Sequence, residues 1–302
     1  MATCGPRRYL ARATSTEEGT MPDQPEPVPE ERLAFDLPPV FRTAAEERGH
    51  RRRRLAGALR VFGRLGYEDG VAGHITARDP EFDDCYWVNP FGRPFATLTA
   101  GDLLLVDGDG RVLRGARRVN QAAFAAHAAV HRARPEVVAV AHTPTPHGRA
   151  LAALGELLAP IGPESCAFYE DHALLDQYTA LAGDPEECRR IAFALGPRKA
   201  LILRNRGLLT VGTSVDAAAW WLVAMDRAAR VQLLVRAAGK PVPVDHRSAV
   251  AGRERLGTDL AAWVSFQPLR HLDGPDGPDG PDATEAADAT EAAGDTPVTS
   301  TS

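Results

Sequence analysis

One α/β domain over about residues 37–250, with a disordered segment on either side, is the organisation that this 302-residue sequence predicts. Two observations carry it. Composition changes sharply near residues 36 and 272. Between those points, stretches with the 3.6-residue period of a helix alternate with short apolar runs of strand type, punctuated by Gly and Pro. One layered domain accommodates that alternation better than two.

The elements follow in order. Residues 1–36 are rich in Pro, Glu, Thr and Arg, lack periodicity and are expected to be disordered, with Met21 as an alternative start. Residues 43–65 read as a helix with Leu55, Leu59 and Phe62 on one face and Gly66 as its stop. Arg51, Arg52, Arg53 and Arg54 within it read as a solvated face. Residues 73–78 and 86–88 read as strands, and residues 103–113 as a hairpin turning at Asp107-Gly108-Asp109-Gly110. An Ala-rich helix over 120–132 ends before Pro135, and a buried strand follows over 137–141. Helices are expected over 146–154 and 184–195, the second capped by Asp184 ahead of Pro185. Strands over 200–203 and 208–211 flank a turn at Gly207, and a long helix over 214–238 stops at Gly239-Lys240-Pro241. Residues 251–271 read as a C-terminal extension and 272–302 as an acidic low-complexity tail, with Gly-Pro-Asp three times and Asp-Ala-Thr-Glu-Ala-Ala twice.

The tail also explains the net charge. It holds eight acidic residues and no Lys or Arg, so removing it from −5 leaves a body of +3. That near balance makes no case for nucleic acid or membrane partners. No apolar run approaches the roughly 18–20 residues of a membrane span, and residues 1–20 lack the apolar stretch of a secretory signal. The protein therefore reads as cytoplasmic. Cys4, Cys85, Cys166 and Cys188 show no metal or redox spacing and read as reduced thiols.

Four segments carry chemistry. They are Gly70-Val71-Ala72-Gly73-His74-Ile75-Thr76-Ala77-Arg78, Trp87-Val88-Asn89-Pro90-Phe91-Gly92, the run from His127 through Arg134-Pro135-Glu136 to His142-Thr143, and the run from Ala200 through Arg204-Asn205-Arg206-Gly207 to Gly212. In this order and spacing they resemble the class II aldolase/adducin family over roughly residues 45–240. The wording of these pieces, with Cys166-Ala167-Phe168-Tyr169-Glu170-Asp171-His172, resembles the adducin-like bacterial branch more than the sugar-phosphate aldolases. The resemblance implies a single aldolase/adducin-head domain with a central, mostly antiparallel sheet layered with helices. It also implies a divalent metal, usually zinc, held by three histidines, two from a His-x-His strand and one from an Asn-His-Gly turn. A helical carboxylate moves the proton. Many members are tetramers with sites at subunit interfaces.

This sequence departs from that pattern. His142 stands at the first ligand position, but the second is Pro144, which has no donor, and the third is Arg206, whose guanidinium has no lone pair to give. The carboxylate position is Ala123. The expected function is thus a non-catalytic family member that binds a small anion or a protein, with no cofactor and no confident catalytic residue. Gly73, His74, Thr76 and Arg206 are the expected anion contacts, His74 replacing the family's usual Asn. The alternative is an active metal-dependent lyase or epimerase for a sugar-phosphate-like substrate, using zinc or another divalent metal on a shifted set of His142, His147 and His172. His127 and His131, four apart on a helix, are a further pair to weigh. A third reading is a subunit that assembles with a catalytically complete relative. Homo-oligomerisation, as a tetramer in the family manner, is expected from the apolar excess of the 214–238 helix, which carries Trp220, Trp221, Leu222, Met225, Val231, Leu233 and Leu234.

Overall fold

A computed structural model describes residues 37–177 and 183–270. The disorder expected at 1–36 and 272–302 falls outside the described residues. Among the described residues eight strands and eight α-helices follow one another: α1 (Ala44–Arg64), β1 (His74–Arg78), β2 (Cys85–Val88), β3 (Leu104–Asp107), β4 (Val112–Arg114), α2 (Gln121–Ala133), β5 (Ala139–Thr143), α3 (Pro146–Leu154), α4 (Pro163–Cys166), β6 (His172–Leu175), α5 (Pro185–Leu195), β7 (Ala200–Leu203), β8 (Gly207–Gly212), α6 (Val215–Ala238), α7 (His246–Leu256) and α8 (Asp259–Arg270). Side-chain caps fix the helix starts. Thr43, Asn120, Asp184 and Ser214 each accept a backbone N–H three residues on, satisfying one of the donors a helix leaves open.

The strands form one sheet in the order β4-β3-β2-β1-β5-β8-β7-β6, antiparallel except for the parallel β6–β7 pair. Alternation along each strand divides the sheet into two faces. Ile75 and Ala77 of β1, Ala139 and Ala141 of β5 and Leu208 of β8 point to a core closed by α1, α3, α6 and α8. Val140 of β5 with Leu209 and Val211 of β8 point the other way, where Val130 of α2 and Ile191 and Leu195 of α5 cover them. His74, Thr76 and His142 have the parity of this second face, and α2 and α5 lie over it.

Three expectations change. The Arg51–Arg54 run is not a solvated face. Arg54 is buried and pairs with Asp216 of α6, its Nε donating to Oδ2 at 2.8 Å, while its guanidinium sits 4.3 Å from the Trp263 ring of α8. Arg52 lies 4.5 Å from the Trp87 ring, and Arg51 donates to the carbonyl of Arg78. Secondly, the boundary expected at residue 250 falls inside α7, and α8 buries Ala262, Trp263 and Phe266 against the domain. Periodicity at 251–271 was too weak to separate a packed helix from a trailing extension. Thirdly, most of the apolar excess of α6 is absorbed internally. Trp221, Leu222 and Met225 are fully buried, and only Val231 and Leu234 of the named residues are exposed.

Candidate functional site

Two strands and one helix assemble the site. In the antiparallel β1–β5 register His74 stands directly across from His142, so two residues 68 positions apart become nearest neighbours on one face. Helix α2 crosses that face and lays His127 and His131 over Thr76. Gly73, just before β1, has φ +95°, and a Cβ there would meet Thr143 Cγ2 at 3.0 Å, so glycine lets this loop reach β5. The β7–β8 turn brings Arg206 to the same end of β5. Its tight reversal is carried by Asn205 (φ 59°) and Gly207 (φ 127°), both in the left-handed region.

Hydrogen bonds set the state of each ring. His74 Nε2–H donates to the Ala123 carbonyl at 3.0 Å, which leaves its Nδ1 a buried, unpartnered lone pair. His142 Nδ1–H donates to the Leu208 carbonyl at 2.7 Å, leaving Nε2 as an acceptor. Thr76 Oγ1 lies 3.0 Å from His127 Nδ1 and 2.9 Å from His131 Nε2. One hydroxyl has one proton, so it donates to one ring and accepts from the other. His127 Nε2 has no partner. Burial drives the pKa of His74 and of His131 down to about 3, and the charges of neighbouring His142 and Arg78 push the same way. His127 is lowered well below its ordinary value by burial and then by the adjacent imidazoles. Burial, and then the Arg206 charge, lower His142 as well. All four rings are therefore neutral at pH 7.

These groups line a cavity of about 200 Å³ between the sheet, α2 and α5. His74, His127, His142 and Arg206 supply its polar wall; Ala122, Ala126, Ile191, Leu203 and Leu209 supply much of the rest. Glu187 of α5, which the sequence analysis does not single out, also faces it. Its Oε1 is 3.8 Å from Arg206 Nη1, and its Oε2 accepts from Arg190 Nη2 at 2.8 Å. Two guanidiniums thus share this one carboxylate. A Glu two residues past a Pro at a helix start, on the buried face of that helix, was the available signal for Glu187.

The expected residues come together only in part. Of the anion set, His74 and Arg206 share the cavity. Thr76 is fully buried and engaged by two rings, and Gly73 lines a different pocket beside Asn89 and Asn120, of only about 10 Å³, about the room of a single water. The shifted metal set does not form. Both ring nitrogens of His172 are used, Nε2 accepting from Leu158 N at 3.0 Å and Nδ1 donating to the Phe168 carbonyl at 2.6 Å. His147 Nδ1 is bound to Asp226, 3.0 Å away. His127 and His131 converge on Thr76, not on a common ion site. The His74 and His127 rings lie against each other, centroids 3.9 Å apart. With Pro144 and Arg206 at two ligand positions, this donor set does not fit the family's metal. Among the described residues no group of three or more His, Cys, Asp or Glu is arranged to hold one.

Buried neutral imidazoles make stability depend on pH. The unfolded chain protonates near pH 6.5 and the folded chain near pH 3, so their contribution is complete above pH 6.5 and is lost as the pH falls toward 3. Each ring adds up to about 1.4 kcal/mol per pH unit to that loss. The melting temperature is expected to drop on the order of 10 °C between pH 7.5 and pH 5. A melting temperature flat across that window would contradict the assignment of neutral rings.

The fold defines an aldolase-type α/β head. The chain belongs to the class II aldolase/adducin family: the Class II Aldolase and Adducin N-terminal domain matches residues 53–233. Among its relatives, "Decarboxylase NovR" of Streptomyces niveus is 48% identical over 237 residues, covering 78% of this chain and 88% of that protein. The "4-hydroxy-3-prenylphenylpyruvate oxygenase/4-hydroxy-3-prenylbenzoate synthase" of Streptomyces roseochromogenus subsp. oscitans is also 48% identical, covering 78% of this chain and 86% of its own. Among solved structures, an L-fuculose 1-phosphate aldolase from Glaciozyma antarctica PI12 superposes with a TM-score of 0.73 at 42% identity, covering 78% of this chain and 95% of that one.

Proposed function

We propose that the cavity takes a small aryl carboxylate, an aryl 2-oxo acid in the first instance, and that the chain does not act as a metal-dependent sugar-phosphate aldolase. The lining carries this reading. It offers one guanidinium for an anionic end, lone-pair acceptors at His74 and His142 for a hydroxyl, and apolar walls for a ring. Its roughly 200 Å³ suits one aromatic ring with a short side chain, since a cavity of about 150 Å³ already holds benzene. A sugar phosphate asks for the opposite: many donors and a dianion cradle. The loop expected to provide that cradle is closed here.

The printed names of the relatives pull in two directions. Two proteins at 48% identity are named for a decarboxylation and for aromatic oxo- and benzoic acids. The solved relative at 42% is named for a sugar-phosphate cleavage, which by the family resemblance rests on ligands that are Pro144 and Arg206 here. The residues favour the first. The non-catalytic reading of the sequence keeps its anion site, but such named relatives favour a second reading in which the bound acid is decarboxylated. Calorimetric titration is expected to show phenylpyruvate and 4-hydroxyphenylpyruvate binding at micromolar to submillimolar concentration, with dihydroxyacetone phosphate at least about tenfold weaker, a difference of 1.4 kcal/mol. Tighter binding of the phosphate would overturn the reading. Carbon dioxide release from carboxyl-labelled acid tests the second.

A further inference from the structure

The Thr76 hydroxyl ties together two buried imidazoles of α2, His127 through Nδ1 at 3.0 Å and His131 through Nε2 at 2.9 Å. Both rings are neutral, so each has one N–H and one bare nitrogen, and the single hydroxyl proton fixes them as a set. Two senses are open. In the first, His131 donates to Thr76 and Thr76 donates to His127 Nδ1. The proton of His127 then sits on Nε2, which has no partner. In the second, His127 Nδ1–H donates to Thr76, Thr76 donates to His131 Nε2, and the proton of His131 sits on Nδ1. The Val137 carbonyl favours a proton on the His131 ring. With Nε2 taken by Thr76, the nitrogen it acts on is Nδ1, although no full hydrogen bond forms. The second sense thus turns a buried N–H toward a carbonyl. The first leaves one facing nothing, which costs more.

The second sense makes His127 Nε2 a bare nitrogen on the cavity wall. The His74 ring lies 3.9 Å away with its Nδ1 bare, and His142 Nε2 is bare as well. Three imidazoles of one wall therefore accept hydrogen bonds and offer none. A 2-oxo acid with its carboxylate at Arg206 has only acceptors for that wall in its oxo form. Its enol has an O–H. We propose that Thr76 and His131 are positioning residues that hold His127 with its proton on Nδ1, so that the histidine wall takes a 2-oxo acid as its enol. The enol differs by one proton moved from C3 to the 2-oxygen, with a C2=C3 double bond in place of C2=O, so no co-reactant enters. The choice of ligand rests on the aryl-carboxylate reading of the cavity; the placement of the His127 proton does not.

NMR of the full chain labelled in its histidine nitrogens reads that placement at neutral pH, His127 being assigned by the loss of its signals in His127→Gln. The expected wild-type result is a protonated Nδ1 and a bare Nε2. Thr76→Val, close in shape, should let the proton divide between the two nitrogens, and Thr76→Ser should restore the single form. Phenylpyruvate labelled at C3 is then bound to the same proteins. Its carbon signal should change from methylene to vinyl type for most of the acid bound to the wild type and to Thr76→Ser, and for about half of that share or less in Thr76→Val. A wild-type spectrum with the proton on Nε2 overturns the proposal, and so does an unchanged single form in Thr76→Val. Phenylpyruvate bound as the oxo form overturns the enol and leaves the cavity reading standing. If neither phenylpyruvate nor phenylglyoxylate, which has no C3 hydrogen to move, binds at all, the aryl-carboxylate reading goes and the enol with it, and the wild-type nitrogen spectrum alone decides the positioning role.

Discussion

Replacing Arg206 with alanine is expected to raise the dissociation constant for phenylpyruvate about a hundredfold, and replacing it with glutamate by more. Arg206 comes from a turn held by Asn205 and Gly207, so its backbone is set independently of any ligand. Glu187 helps to hold the guanidinium from α5, and Arg190 shares that carboxylate. A charge-assisted hydrogen bond in a half-buried site is worth about 1.5–3 kcal/mol, and losing it together with the charge gives the hundredfold figure. Arg206→Lys keeps the charge without the planar fork and should fall between the two. An Arg206→Ala protein that binds phenylpyruvate as the wild type does would show that the carboxylate goes elsewhere. Arg190 still pairs with Glu187 when Arg206 is removed, so the melting temperature should fall little, which separates a binding effect from unfolding.

The second large effect concerns stability. Arg54 and Asp216 are both almost completely buried, and their pairing ties α1 to α6; Gln267 of α8 joins them, its Oε1 accepting from Arg54 Nη2 at 2.8 Å. Asp216→Ala leaves a buried guanidinium without its counter-charge, which costs about 3–5 kcal/mol. For a domain of this size that corresponds to a fall of about 10 °C in melting temperature. Arg54→Met combined with Asp216→Leu removes both charges and should recover most of the loss, since a buried pair contributes little beyond its apolar replacement. A loss below about 1 kcal/mol in the single variant would mean that water reaches the pair.

Much of the fold was legible along the chain because its signals are local. Caps at Thr43, Asn120, Asp184 and Ser214, the stop at Pro135 and the Asp-Gly hairpin all act within a few residues. The four-segment motif supplied the rest by resemblance. What the sequence could not display is register. That His74 faces His142 depends on how β1 pairs with β5, and no spacing along the chain encodes it. The same is true of Arg54, which reads as one of four surface arginines until α6 and α8 bring Asp216 and Trp263 to it. Thr76 was taken for a ligand contact because its loop matches the family's. Two imidazoles from a helix 51 and 55 residues away use its hydroxyl instead. Glu187 was hidden behind its role at a helix start, where acidic residues are favoured for the helix dipole alone.

The central claim is that an aryl carboxylate binds here through Arg206 and the imidazoles, with no help from the metal on which the family's aldolases depend. Titration of phenylpyruvate into protein stripped with a chelator, beside the same protein given one equivalent of zinc, tests it most directly. The expected result is the same affinity in both, with zinc bound weakly, because Pro144 and Arg206 stand at two of the three ligand positions that the family resemblance implies, and the imidazoles are not arranged as a ligand group. Pro144→His with Arg206→His should bind zinc more tightly and the acid less well. The claim is contradicted if the untreated protein carries about one zinc per chain, if His142→Ala removes that zinc, and if binding of the acid disappears with it.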